Sequence, residues 1–142
     1  MKQSHELKTP LIFIIDDTPL DIYITKHFLE KNIINAIIQS FSMATDAIEY
    51  FSSINNDLNK IPDIIFLDIR MPQMNGFEFL DAFSNLPEPV KEKCSIYVLS
   101  STFDEEEIQK AKSHPCSKGF IEKPVKKQIV EEIITKFYYQ IN

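Results

Sequence analysis

Short, unbroken apolar runs recur along this chain, separated by stretches in which apolar residues return every three or four positions. The runs are Leu11–Ile15 and residues 36–39, 63–67, 96–99 and 119–121. Leu11–Ile15 is short, unbroken and β-rich, as expected of a strand covered on both faces, and the others are candidate strands. Between them, Leu20, Ile24 and Phe28 fall at helical spacing, as do Ala44, Ala47, Ile48 and Phe51, and then Phe79, Leu80 and Phe83. Val125, Ile129, Val130, Ile133, Ile134 and Phe137 predict a strongly amphipathic last helix. Thr18-Pro19, Ser42 and Asp104 supply start signals, and Glu105, Glu106 and Glu107 sit where a helix dipole favours acids. Residues 52–62 read as a polar loop, Asn75-Gly76 as a turn, and the prolines at 87 and 89 as a stop. Five strands alternating with five helices predict an α/β fold, a doubly wound parallel sheet.

The 142 residues fit one domain. Residues 1–10 are polar and read as an N-terminal extension, leaving residues 11–142 as the domain; no further segment is expected to carry an output activity. The 44% hydrophobic content argues against disorder. The net charge of −6, with no basic run, disfavours direct nucleic-acid binding. No apolar run is long enough to span a bilayer or serve as a signal peptide. Two cysteines, Cys94 and Cys116, make no disulfide framework and read as inert. A cytoplasmic location is expected.

Ligands of such sheets sit beyond the carboxyl ends of the strands. Asp16 and Asp17 end the first strand, Asp68 the third and Ser100 the fourth, while Lys123 follows the fifth. Taken singly, each has a bland reading: a turn, a cap, a solvated lysine. Four strand ends with complementary chemistry are harder to attribute to coincidence. Three carboxylates and one ammonium sum to about −2, and such repulsion favours a cation. Mg²⁺ suits a patch of hard oxygens. It would also neutralise an incoming phosphoryl group. A carboxylate can attack phosphorus to give an acyl phosphate. The Lys123 ammonium and the Ser100 hydroxyl are suited to holding that group.

Four motifs then carry a resemblance: IIDD at 14–17, FLDIRMPQMNG at 66–76, VLSS at 98–101 and FIEKP at 120–124. In this order they are similar to the response-regulator receiver domain of two-component signalling. The resemblance implies a flavodoxin-like (βα)5 fold with strand order 2-1-3-4-5. It makes Asp68 the phosphoacceptor, and Mg²⁺ the cofactor, held by Asp17, Asp68 and the Arg70 main-chain carbonyl, with Asp16 acting mainly through water. It matches Ser100 and Lys123 to the phosphoryl-binding hydroxyl and lysine, with a cis peptide expected at Lys123-Pro124. Phe120 falls at the aromatic switch position. Arg70 and Thr102 flank the path of attacking water, and neither is an obvious base, so slow dephosphorylation is expected. The implied partners are a histidine kinase or histidine phosphotransfer protein and a downstream protein. The latter would bind the face made by the 104–113 helix, the fifth strand and the final helix. Such a domain signals, and catalyses only its own phosphorylation and dephosphorylation.

Three rival readings remain at this point. An aspartyl phosphatase would want an acid two residues past the nucleophile, where Arg70 stands. An FMN carrier would want a neutral or glycine-rich first loop for its phosphate, where Asp16-Asp17 stands. A degenerate receiver would bind partners without being phosphorylated.

Overall fold

The computed structural model describes residues 9–33 and 35–140. Most of the predicted extension therefore lies outside the described residues. Pro10 is buried, and its carbonyl accepts the Ile37 N–H at 3.0 Å, so it is already tied to the sheet.

Five strands form one parallel sheet: β1 (Leu11–Ile15), β2 (Ile37–Phe41), β3 (Ile64–Leu67), β4 (Ser95–Ser100) and β5 (Ser117–Glu122). Their order is β2-β1-β3-β4-β5. Six helices connect or follow them: α1 (Pro19–Asn32), α2 (Ala44–Ser53), α3 (Gly76–Phe83), α4 (Glu88–Lys93), α5 (Glu105–Ser113) and α6 (Lys127–Gln140). The period-two alternation of the strands builds two cores. Phe13, Ile15, Ile65, Leu67, Ile96 and Val98 face α2, α3, α4 and α5. Ile12, Ile14, Ile64, Phe66, Leu99 and Ile121 face α1 and α6. β1 and β3 sit mid-sheet and have little polar surface to show, which is why their sequences lack alternation.

Several local expectations are corrected. A sixth helix, α4, starts at the prolines rather than stopping there: Pro87 is its N-cap and Pro89 lies in its first turn, where a missing N–H costs nothing. The loop at 52–62 contains a 3-10 turn at Leu58–Lys60, capped by the Asp57 side chain. β2 is displaced toward Phe41 because its register with β1 runs from Leu11↔Ile37 to Ile15↔Phe41. Leu20 is 64% exposed; the buried side chains of α1 are Thr25 and Leu29. Ser42 does not cap α2, whose N-cap is Met43 with no side-chain bond. Thr18 precedes α1 without a side-chain cap, and its N–H instead donates to Asp16 Oδ1 at 2.9 Å. Asn75-Gly76 is the start of α3: the Asn75 side chain accepts the Glu78 N–H, and the Glu78 side chain accepts the Asn75 N–H. Both cysteines are unpaired, and Cys94 is buried. No helix among the described residues is long and apolar enough to cross a membrane.

Candidate functional site

Backbone pairing carries the chemistry-bearing residues to one edge of the sheet. The Asp16 N–H donates to the Phe41 carbonyl, and the Asp68 N–H to the Ile15 carbonyl, so both carboxylates leave the ends of adjacent strands. The Lys123 N–H donates to the Ser100 carbonyl, which pins the residue after β5 beside the end of β4. The peptide Lys123-Pro124 is cis. Ligand atoms of Asp16, Asp17 and Asp68 all lie within 4.8 Å of one another. Asp16 and Asp68 are buried, and Asp17 faces solvent.

Lys123 is the counter-charge. Its Nζ lies 2.9 Å from Asp16 Oδ2, 2.8 Å from Asp21 Oδ2 and 3.3 Å from Asp68 Oδ1. Burial alone would lower the Lys123 pKa, but the three carboxylates outweigh it and hold the ammonium well above its ordinary range. Asp68 is pushed up to about 6. Burial is the main cause, repulsion from Asp16 adds to it, and the Lys123 ammonium offsets only part. The cluster thus carries more negative charge than one lysine neutralises.

The two oxygens of Asp68 differ. Oδ1 accepts the Ile69 N–H at 2.9 Å and faces Lys123. Oδ2 accepts no hydrogen bond from the described residues. No fully buried polar side-chain atom among them lacks a partner, so Oδ2 keeps some contact with solvent. Asp17 is similarly open, its only side-chain partner being the Thr18 hydroxyl at 3.4 Å. Two carboxylates that each keep an oxygen free of protein hydrogen bonds, beside a repelling third, make a donor set that fits a hard divalent cation. Gly76 permits the close packing under this site. A Cβ there would run into the Asp68 carbonyl oxygen and lie 2.9 Å from Ile69 Cα.

The remaining predicted residues sit around this cluster. Ser100 is buried, and its Oγ accepts the Thr102 N–H at 3.1 Å. Phe120 is not part of the cluster: it lies in β5 opposite Val98, half-buried against the core that holds α5. Arg70 and Thr102 are brought together by a residue that sequence reading treated only as a dipole acid. Glu107 Oε1 lies 2.7 Å from Arg70 Nη2 and accepts the Thr102 hydroxyl at 2.7 Å. Asp21 was also missed. It stands in the first turn of α1, where an acid needs no special reason. Its distance of four residues from Asp17 was the one available signal.

Comparison with known proteins agrees with the fold. The family model of the response regulator receiver domain matches residues 12–135. A response regulator receiver protein from Dyadobacter fermentans superposes with a TM-score of 0.77 at 29% identity, covering 90% of this chain and 97% of that one. A two component response regulator from Cytophaga hutchinsonii also gives 0.77, at 25% identity, covering 93% and 99%. Hybrid signal transduction histidine kinase C of Dictyostelium discoideum is 28% identical over 130 residues, which are 89% of this chain. The chain spans only 10% of that kinase's length. The chain therefore belongs to the response regulator receiver domains, the signalling modules of two-component systems.

Proposed function

We propose that this receiver accepts a phosphoryl group on Asp68 from a phosphohistidine, on a histidine kinase or a histidine phosphotransfer protein, in a Mg²⁺-dependent reaction. The observation that carries the reading is the asymmetry of Asp68: one oxygen anchored by Ile69 and Lys123, the other free beside two further acids. Oδ2 attacks phosphorus, a phosphorus–oxygen bond forms, and the phosphorus–nitrogen bond to the donor histidine breaks. Anchoring Oδ1 leaves Oδ2 as the oxygen aimed outward, so little orientation remains to be found in the transition state.

Asp17, Asp68 and the Arg70 carbonyl would hold Mg²⁺, with Asp16 acting through water. When bound, the ion supplies charge neutralisation for the phosphoryl oxygens. Lys123 is already poised with its ammonium 3.3 Å from Asp68 and can follow the new charge. Ser100 would donate its hydroxyl proton to a phosphoryl oxygen. The product switches protein–protein contacts through α5, β5 and α6, and the expected location is the cytoplasm.

Intact-mass spectrometry after incubation with acetyl phosphate tests the reading. The wild type should gain one phosphoryl group with Mg²⁺ present and not in EDTA, and Asp68→Asn should gain none. Uptake by the Asp68→Asn protein, mapped to another residue, would refute the assignment.

A further inference from the structure

The loop after β3 and the loop after β4 are joined by one carboxylate oxygen. Glu107 Oε1 receives both the Arg70 guanidinium and the Thr102 hydroxyl, each at 2.7 Å. The linkage continues in both directions. Thr102 Oγ1 accepts the Asp104 N–H at 3.1 Å, and the Thr102 N–H donates to Ser100 Oγ at 3.1 Å. A continuous chain of bonds thus runs from Arg70, two residues past Asp68, through Glu107 and Thr102 to Ser100. Arg70 and Glu107 also line an open cavity of about 400 Å³ together with Asp17 of the acid cluster and Ile69, the residue after Asp68.

We propose that Glu107 is a positioning residue that clasps Arg70 and Thr102 over the mouth of the Asp68 pocket and thereby prolongs the life of the acyl phosphate. The inference rests on the phosphorylation of Asp68 proposed above. Decay of that species is hydrolysis. A water oxygen bonds to phosphorus, the bond from phosphorus to Asp68 Oδ2 breaks, the carboxylate is restored, and inorganic phosphate leaves with the water's proton. Arg70 lines the open cavity beside Asp17 and Ile69 through which water can reach phosphorus, and Thr102 is tied to Ser100 at the end of β4.

Neither side chain would stay there unaided. Arg70 is 67% exposed, and an exposed ion pair alone orders a long side chain weakly. Glu107 is better placed to do so. It is only 24% exposed and carries a second bond, from a hydroxyl whose own oxygen is already engaged by the Asp104 N–H. Two donors from two loops converge on one acceptor, so each bond restricts the other. The chemistry required is an acceptor oxygen at the reach of a glutamate side chain, and a glutamine supplies one as well.

The test is the lifetime of the phosphorylated full chain, loaded with acetyl phosphate and Mg²⁺, freed of donor, and followed by intact mass. Glu107→Ala should shorten the lifetime at least threefold, while Glu107→Gln should stay within twofold of wild type. Arg70→Ala should shorten it as well, and Arg70→Ala with Glu107→Ala should decay no faster than the faster single variant, since both break one clasp. Circular dichroism melts of each variant separate loss of the fold from loss of the clasp. The Arg70→Ala lifetime provides an independent reading on an exposed side chain. Loaded Glu107→Ala protein with a lifetime equal to wild type or longer overturns the proposal, as does additivity in the double variant. Wild-type protein that takes up no phosphoryl group overturns the proposed function itself, and this inference with it.

Discussion

Asp68 carries a cost that the rest of the fold sustains. Its carboxyl is pushed up to about 6 from 3.8, chiefly by burial and then by Asp16. Well below its ordinary value of 3.8, by about pH 3, both folded and unfolded Asp68 are protonated, and the site is neutral toward stability. Between about pH 4 and pH 6 the unfolded chain gives up the Asp68 proton while the folded chain keeps it, so stability falls across that window and the full penalty stands above about pH 6. The penalty at neutral pH is on the order of 2–3 kcal/mol. Asp68→Asn keeps an oxygen for the Ile69 N–H and leaves Lys123 its bonds to Asp16 and Asp21. In EDTA, that variant should unfold at higher denaturant than wild type at pH 7.5, by about 1–2 kcal/mol. The difference should shrink as pH falls from about 6 and approach zero by about pH 3. Urea melts at both pH values check this; a gain that does not depend on pH would contradict the burial argument.

At the scale of elements, the site depends on how closely α3 starts beneath the end of β3. The Gly76 N–H donates to the Ile69 carbonyl at 2.7 Å, and the glycine has no space for a side chain on the side of the Asp68 carbonyl. This requirement is steric, since Gly76 does not adopt a positive φ. Gly76→Ala should gain a little helix propensity but force the β3 end and the α3 start apart. The net loss should be about 1–3 kcal/mol by urea denaturation. Mg²⁺ binding should weaken with it, because Asp68 and the Arg70 carbonyl belong to the displaced segment. Stability at or above wild type would show that the backbone relaxes more freely than this packing implies.

Across the whole molecule, the core that faces α2, α3, α4 and α5 holds its helices unequally. α3 buries Gly76, Phe77, Phe79, Leu80 and Phe83, whereas α5 buries only Ala111. A helix with so few apolar anchors can shift at modest cost. It also sits at the point where three devices meet: Glu107 with its bonds to both loops, half-buried Phe120 on the neighbouring strand, and Phe103, 83% exposed, just before its start. Phosphorylation adds about −1.5 to −2 in charge at Asp68. It should draw on Ser100 and Lys123, and through Thr102 on α5. With a stable phosphoryl mimic and Mg²⁺, NMR should show shifts at Phe120 and along Glu105–Ser113 as well as around Asp17 and Asp68. Shifts confined to the two acidic loops would rule out this route.

What the amino-acid order decided alone was the alternation. The apolar runs had to be strands, those of β1 and β3 covered on both faces, and the strand-end acids followed from where the runs stop. Asp16, Asp17, Asp68 and Lys123 were legible because strand ends of a parallel sheet converge by topology, whatever the loops do. Local starts were less legible. Ser42 lost the cap of α2, and Leu20 faced solvent, because pairing register and helix packing override a single residue's preference. Glu107 and Asp21 were invisible for a different reason. An acid in the first turn of a helix already has a sufficient local explanation, and nothing in the chain order tells which acid meets a cation from elsewhere. Only the tertiary structure decided that, by bringing α5 against the loop after β3 and α1 against the residue after β5. There, distances of 2.7 Å and 2.8 Å turn two ordinary helix-start acids into partners of Arg70 and Lys123.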